Sequence, residues 1–318
     1  MALIKRITTT PKLDFIGKRN IFLACSGALV ALSVILFFVQ GLNFGVDFRG
    51  GILVEVRTTA VCDISDLRSR LGGIGLGEVT LQEFGQPEDV LINVEKPQGD
   101  EAEQIEAINV LKAALEGCVE EYRRTEFVGP KVGSELKQAG ILATLLSLLG
   151  IGLYIWFRFE WQFSVAALIA LAHDVITTIG FYALTQIEFN LATLAAVLTI
   201  AGYSINDTVV IFDRVRETLR KYKKMAFLEL LNLSINLTLT RTVLTSVTTL
   251  IALIALFIFG GEVIRGFAIG LIWGVVIGTY SSVGLAVPLL ARMHLRGGTM
   301  ASSEEADEGP ANKAPDSA

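Results

Sequence analysis

Apolar residues in this chain are gathered into long runs separated by charged segments. The run Asn20–Gln40 holds 21 residues without a charge. As an α-helix it would be ~30 Å long, the thickness of a bilayer's hydrocarbon core. No small-residue cleavage site follows, and the apolar stretch is too long for a signal sequence, so an uncleaved membrane span is expected. Five more spans are expected at about Ala139–Phe157, Gln162–Leu184, Phe189–Phe212, Leu239–Phe259 and Gly266–Ala291. The links between them are short, except Gly41–Gln138 and Asp213–Thr238.

The segment 41–138 has the pattern of a folded domain. Gly51–Thr58 alternates like a strand, Ser65–Leu71 reads as a helix, and Val79–Phe84 with Val90–Glu95 reads as a hairpin. Ile105, Ile108, Leu111 and Leu115 fall at helical spacing within Glu101–Glu116, and Tyr122–Val128 is a last strand. The order βαββαβ is the ferredoxin-like split pattern. The fold class expected is therefore a six-span α-helical membrane protein with one ferredoxin-like α+β domain outside the cytoplasm.

Composition supports the spans and excludes little else. The chain has 318 residues, 52% of them hydrophobic, with a mean hydropathy of +0.56 and a net charge of −5. Basic residues set the orientation. Lys5, Arg6, Lys12, Lys18 and Arg19 precede the first span; Arg214, Arg216, Arg220, Lys221, Lys223 and Lys224 follow the fourth; Arg292 and Arg296 follow the sixth. The N-terminus (1–19) and the tail (292–318) are expected in the cytoplasm, with 41–138 periplasmic. From residue 297 the tail is Gly/Ala/Ser/Glu-rich and is expected to be disordered.

No basic stripe with interleaved aromatics points to nucleic acid. Three cysteines without a CxxC, and two histidines, argue against a metal site. The glycine cluster Gly129–Gly133 is not a P-loop. No cofactor, no direct use of ATP and no enzyme activity of the usual kind are expected. Cys62 and Cys118 would lie at the same end of a ferredoxin-like domain, so a disulfide is geometrically possible; two unpaired small residues is the plainer reading.

Charges within spans carry the chemistry, because each costs ~2.5–3.5 kcal/mol at a helix centre and needs a partner or a wet cavity. Asp207 and Arg241, counted from Leu191 and Phe259 on antiparallel spans, reach a similar depth of ~25 Å. A buried Asp–Arg pair is expected. The alternative is that both mark span ends, with the arginine snorkelling. Thr245 and Thr248 continue from Arg241 at helical spacing, a hydroxyl face suited to water and proton movement. Asp174, near mid-membrane beside His173, belongs either to the proton path or to a structural hydrogen-bond network. Gly266, Gly270, Gly274, Gly278 and Ser282 recur every four residues, a stripe for close packing by another helix.

Several of these segments together resemble the SecD/SecF family of bacterial protein-export membrane proteins, within the resistance-nodulation-division superfamily. They are Gly45-Val46-Asp47-Phe48-Arg49-Gly50-Gly51, the segment Gly202-Tyr203-Ser204-Ile205-Asn206-Asp207-Thr208, Arg241-Thr242 with the threonines after it, and Phe259-Gly260-Gly261. The resemblance runs from about Leu13 to Leu295. It implies a partner half, SecD, and use of the proton motive force to promote late translocation and release of unfolded polypeptides through SecYEG, with YajC and YidC as further candidate partners. It implies proton coupling by Asp207 and Arg241, with Asn206 in the same motif, and a structural role for Asp47, Gly50 and Gly51. The bacterial inner membrane is the expected location. The competing reading is half of a small-molecule exporter, or a scaffold without energy coupling.

Overall fold

The computed structural model describes residues 12–59, 62, 64–76, 79–84, 86–94 and 101–293. The expected disordered tail and the first basic residues lie outside them. Among the described residues, six helices are long and apolar enough to cross a membrane. They are α1 (Arg19–Val39), α5 (Pro130–Arg158), α6 (Trp161–Thr185), α7 (Leu191–Lys221), α8 (Phe227–Phe259) and the composite span begun by α9 (Glu262–Ser281). A π-helical turn, Ser282–Ala286, follows α9 and leads into α10 (Val287–Arg292). The π turn has a local cause. Pro288 has no N–H to donate to the carbonyl four residues back, so the ladder must re-register near it.

Between α1 and α5 stands a small α+β domain. It contains α2 (Val46–Arg49), β1 (Gly51–Thr58), α3 (Ile64–Leu71), β2 (Val79–Phe84), β3 (Gln86–Val94), α4 (Glu101–Ala114) and β4 (Val119–Val128). The strands lie in the order β2-β3-β1-β4 and every neighbouring pair is antiparallel. With the helices after β1 and β3, this is the split βαβ arrangement. Ile52, Val54, Val56 and Ile92 on one face of the sheet pack against Leu67, Leu71, Leu111 and Leu115. Each such buried side chain contributes roughly 1.5–3 kcal/mol. Val46 covers Leu53 and Leu91 on the other face, which is why central β1 is buried on both sides.

That second face also carries charge. Arg57 grips Asp89 through Nε and Nη2 at 2.8 and 3.1 Å, and Arg123 Nη1 reaches Asp89 Oδ2 at 2.8 Å. The Arg57 hydrogen bond and the Arg123 charge hold the Asp89 carboxyl below the usual carboxylate range. Cys62 and Cys118 are joined by a disulfide with Cα atoms 5.4 Å apart. This corrects the plainer expectation of two free thiols. The fold brings the start of α3 and the end of α4 together, and Thr59 N donates to Cys118 O beside the bridge at 2.9 Å.

Two helical extensions also differ from expectation. Residues 213–238, expected as a link, are mostly helix: α7 continues to Lys221 and α8 starts at Phe227. Charges end the uncharged run but not the helical apolar stripe. Val215 and Thr218 on α7 pack beside Leu230, Leu231, Ser234 and Ile235 on α8, with Thr218 and Ser234 hydroxyls 2.6 Å apart. At the other end, α5 begins at Pro130, not Ala139, and Pro130 occupies the first helical turn, where its missing N–H costs nothing.

The glycine stripe has its partners within the chain. Side chains built at Gly270, Gly274 and Gly278 would meet Tyr182 of α6 and Ile200 and Ser204 of α7, while Gly266 faces Ile187 and Thr193. The stripe lets α9 approach α6 and α7 closely.

Candidate functional site

The close approach of α6, α7 and α9 encloses a polar cluster around Asp174, which is fully buried. Ser204 Oγ and Ser281 Oγ both donate to its Oδ2, at 2.5 and 2.7 Å, and His173 Nδ1 lies 2.8 Å from its Oδ1. One carboxyl thereby ties three spans together. Thr208 and Ser282 hydroxyls, 2.9 Å apart, extend the polar chain by one helical turn. His173 Nε2 is buried and has no hydrogen-bond partner among the described residues.

Asp207 lies three residues beyond Ser204 on the buried face of α7 and is only 4% exposed. Its side chain makes no hydrogen bond or ion pair with the described residues, although Arg241 is near enough to act on it electrostatically. The expected closed Asp–Arg pair is thus not formed. Helix rotation explains this. At 100° per residue, the buried stripe Thr238, Thr242, Ser246 of α8 lies one residue out of phase with Arg241, which is exposed on the surface of this chain. Asn206 is exposed too. Thr245 is half-buried and Thr248 exposed, and both hydroxyls donate to carbonyls of their own helix, at 2.9–3.1 Å. Their donors are therefore used locally, and their acceptor lone pairs remain.

The segment from Gly41 to Gly51 joins the spans to the domain. Gly45 N donates to Phe189 O (3.0 Å) and Phe189 N to Asn43 O (2.7 Å), so this segment pairs with the α6–α7 connection. Asp47 Oδ2 accepts from Leu191 N at 2.8 Å, which places a carboxylate at the N-terminus of α7, where the helix dipole favours it. Asn190 closes a capping box with Thr193 at the same end. Gly51, at φ +138°, leaves no room for a side chain against the Val94 carbonyl, and Gly133 of α5 packs on the backbone of Phe48 and Gly50. Glu188 fills the angle beside Gly45 and Asn190, and burial pushes its carboxyl above the usual range.

Comparison with known proteins decides the family. The family model "Protein export membrane protein SecD/SecF, C-terminal" matches residues 110–296, more than half of the chain, and the "SecD/SecF GG Motif" model matches residues 35–60. The chain belongs to the SecD/SecF family. Protein translocase subunit SecF of Rickettsia felis is 47% identical over 280 residues, covering 87% of this chain and 90% of the relative. The corresponding Rickettsia prowazekii subunit is 45% identical over 280 residues, covering 87% and 89%. Among solved structures, the crystal structure of SecDF from Thermus thermophilus, described as a translocon-associated membrane protein, matches with a TM-score of 0.80 at 36% identity, covering 90% of this chain. The chain spans only 39% of that SecDF chain. SecDF in its super-membrane-facing form matches with a TM-score of 0.65 at 34% identity, covering 94% of this chain and 40% of that one. As a SecD/SecF family member, the chain is a multi-pass membrane protein with the SecDF-type fold.

Sequence reasoning missed Ser204 and Ser281 as the partners of Asp174. Hydroxyls in apolar spans were the available signal, and only the crossing of α7 and α9 over α6 selects these two. It also missed that Asp47 acts at Leu191, 144 residues away.

Proposed function

We propose that this chain is the SecF-like half of a proton-driven export factor, a non-catalytic component of the Sec machinery. It would pair with SecD and act at the SecYEG translocon, with YajC and YidC as further neighbours. It would sit in the bacterial inner membrane with both termini cytoplasmic and the α+β domain periplasmic. The observation that carries the reading is Asp207. A carboxylate buried in an apolar helix, with no hydrogen bond from the described residues and a guanidinium nearby but not in contact, has two competing charge states. Moving Arg241 relative to α7 decides between them, so proton exchange and helix movement become linked.

The connection to the domain supports the same reading. Asp207 lies 16 residues from Leu191 along α7, about 24 Å of continuous helix. The first amide of that helix is held by Asp47, on the short helix that leads directly into central β1. A shift of α7 is thereby transmitted to the base of the domain. One charge moved through 100 mV releases ~2.3 kcal/mol, enough to bias such a movement.

The test is gradient-dependent export in vesicles carrying Asp207→Asn or Arg241→Met, at matched protein levels. Loss of the gradient-dependent component, with gradient-independent export retained, is expected. Full gradient dependence in both variants would remove the coupling role and favour a scaffold.

A further inference from the structure

The end of the molecule opposite the α+β domain holds a second feature, unrelated to proton exchange. A cavity of about 600 Å³ lies between the end of α5 and the extension of α7, lined by Arg158, Asp213, Arg216, Glu217, Arg220 and Lys221. Its acids have partners: Asp213 lies 3.7 Å from Arg158, an ion pair too long for a hydrogen bond that leaves the Arg158 donors open, and Glu217 accepts from Arg214 at 2.7 Å. Arg216, Arg220 and Lys221 have no acidic partner among the described residues.

Two of the cations are held in position. The guanidinium carbons of Arg158 and Arg216 lie 5.2 and 5.1 Å from the centre of the Phe159 ring, within cation–π range. Phe159 is buried and wedged against Phe163 and Phe212, so this shelf is rigid. Arg216 also donates to Arg158 O at 3.2 Å. Part of the ordering entropy of these long side chains is therefore already spent before a ligand arrives.

The depth of the cavity identifies its occupant. Tyr154, Trp156, Phe157 and Trp161 surround Arg158 in sequence and are all exposed, Phe157 at 94%. Exposed aromatics at the end of a span mark the headgroup level of a bilayer. Two guanidiniums stacked on one buried ring at that level, a few residues from exposed aromatics, match an anion attached to acyl chains.

We propose that this cavity binds the phosphate of an anionic phospholipid, with Arg158 and Arg216 as the phosphate clamp, Arg220 and Lys221 as supporting charge, and the acyl chains lying along Trp156, Phe157 and Trp161. The site stands apart from Asp207 and does not depend on the proton-coupling reading.

The test is native mass spectrometry of the detergent-solubilised full chain with equimolar phosphatidylglycerol and phosphatidylcholine. Retained phosphatidylglycerol is expected to exceed phosphatidylcholine by about tenfold, and the double variant Arg158→Gln/Arg216→Gln should erase that preference. Lys223→Gln/Lys224→Gln removes the same formal charge outside the cavity and should leave the preference in place. Equal loss in both double variants would show diffuse attraction and overturn the site. Equal retention of the two lipids by the unaltered protein would overturn it without any variant. Displacement of the lipid by millimolar inorganic phosphate would assign the cavity to a soluble anion and overturn the lipid proposal.

Discussion

Replacing Asp47 with alanine should loosen the joint between α7 and the domain without unfolding either. The carboxylate makes one bond to α7, to Leu191 N at 2.8 Å, and Asn190 with Thr193 still closes the capping box once it is gone. A lost cap interaction costs about 0.5–2 kcal/mol, and the helix-dipole contribution of a charge at this position is about 0.3–1 kcal/mol. The bond is solvent-facing, so the lower part of the range applies, about 1 kcal/mol in total. That corresponds to roughly fivefold faster exchange of the Leu191 amide, since about 1.4 kcal/mol is tenfold. Hydrogen–deuterium exchange across 187–195 is the assay, with residues 170–180 of α6 as internal control. Asp47→Asn, which keeps an acceptor but not the charge, should fall between the two. If α7 transmits movement to the domain, Asp47→Ala should also reduce gradient-dependent export while leaving Asp207 chemistry untouched. Unchanged exchange at Leu191 would refute the cap, and faster exchange with full gradient-dependent export would refute the transmission.

Other expectations concern the domain. Asp89 has a carboxyl held below its ordinary value by Arg57 and Arg123, so its contribution is complete above the unfolded carboxylate range and is lost as pH falls through the lowered folded value. Asp89→Asn should destabilise the domain by about 1 kcal/mol at neutral pH, the low end because both arginines are partly exposed, with the difference from the unaltered protein shrinking at low pH; thermal melts of the purified full chain across pH measure this. The Cys62–Cys118 bridge, with a sequence separation of 56, should contribute roughly 4 kcal/mol by closing a loop of the unfolded chain. Thiol counting under denaturing conditions should find Cys25 alone before reduction and three thiols after; three before reduction would show that the bridge does not form.

Much of the architecture was legible because it is local physics. Bilayer thickness demands about 20 apolar residues per span, and alternation marks strands, so the six spans and the elements of the domain follow from counting. The misread stretches are informative. Residues 213–238 look like a charged loop because charge, not periodicity, ended the uncharged run, yet Val215, Thr218, Leu230 and Ser234 keep a helical face in contact. Asp174 and Asp207 were recognisable from sequence as costly groups. What satisfies them was not, because the partners of Asp174, Ser204 and Ser281, stand on other helices, and Asp207 has no hydrogen-bonding group among the described residues.

The sequence by itself determined how many spans there are, where charges interrupt them, which family's motifs they carry, and that the last span has a face of small residues. Tertiary structure alone decided which faces meet. The glycine stripe receives Tyr182, Ile200 and Ser204 of this same chain, Arg241 is turned away from direct contact with Asp207, and Asp47 caps a helix that starts 144 residues later. The reason is geometric. A span's existence depends on summed hydropathy, which neighbouring residues share. A contact between spans depends on helix rotation at 100° per residue and on crossing positions, which no single helix encodes.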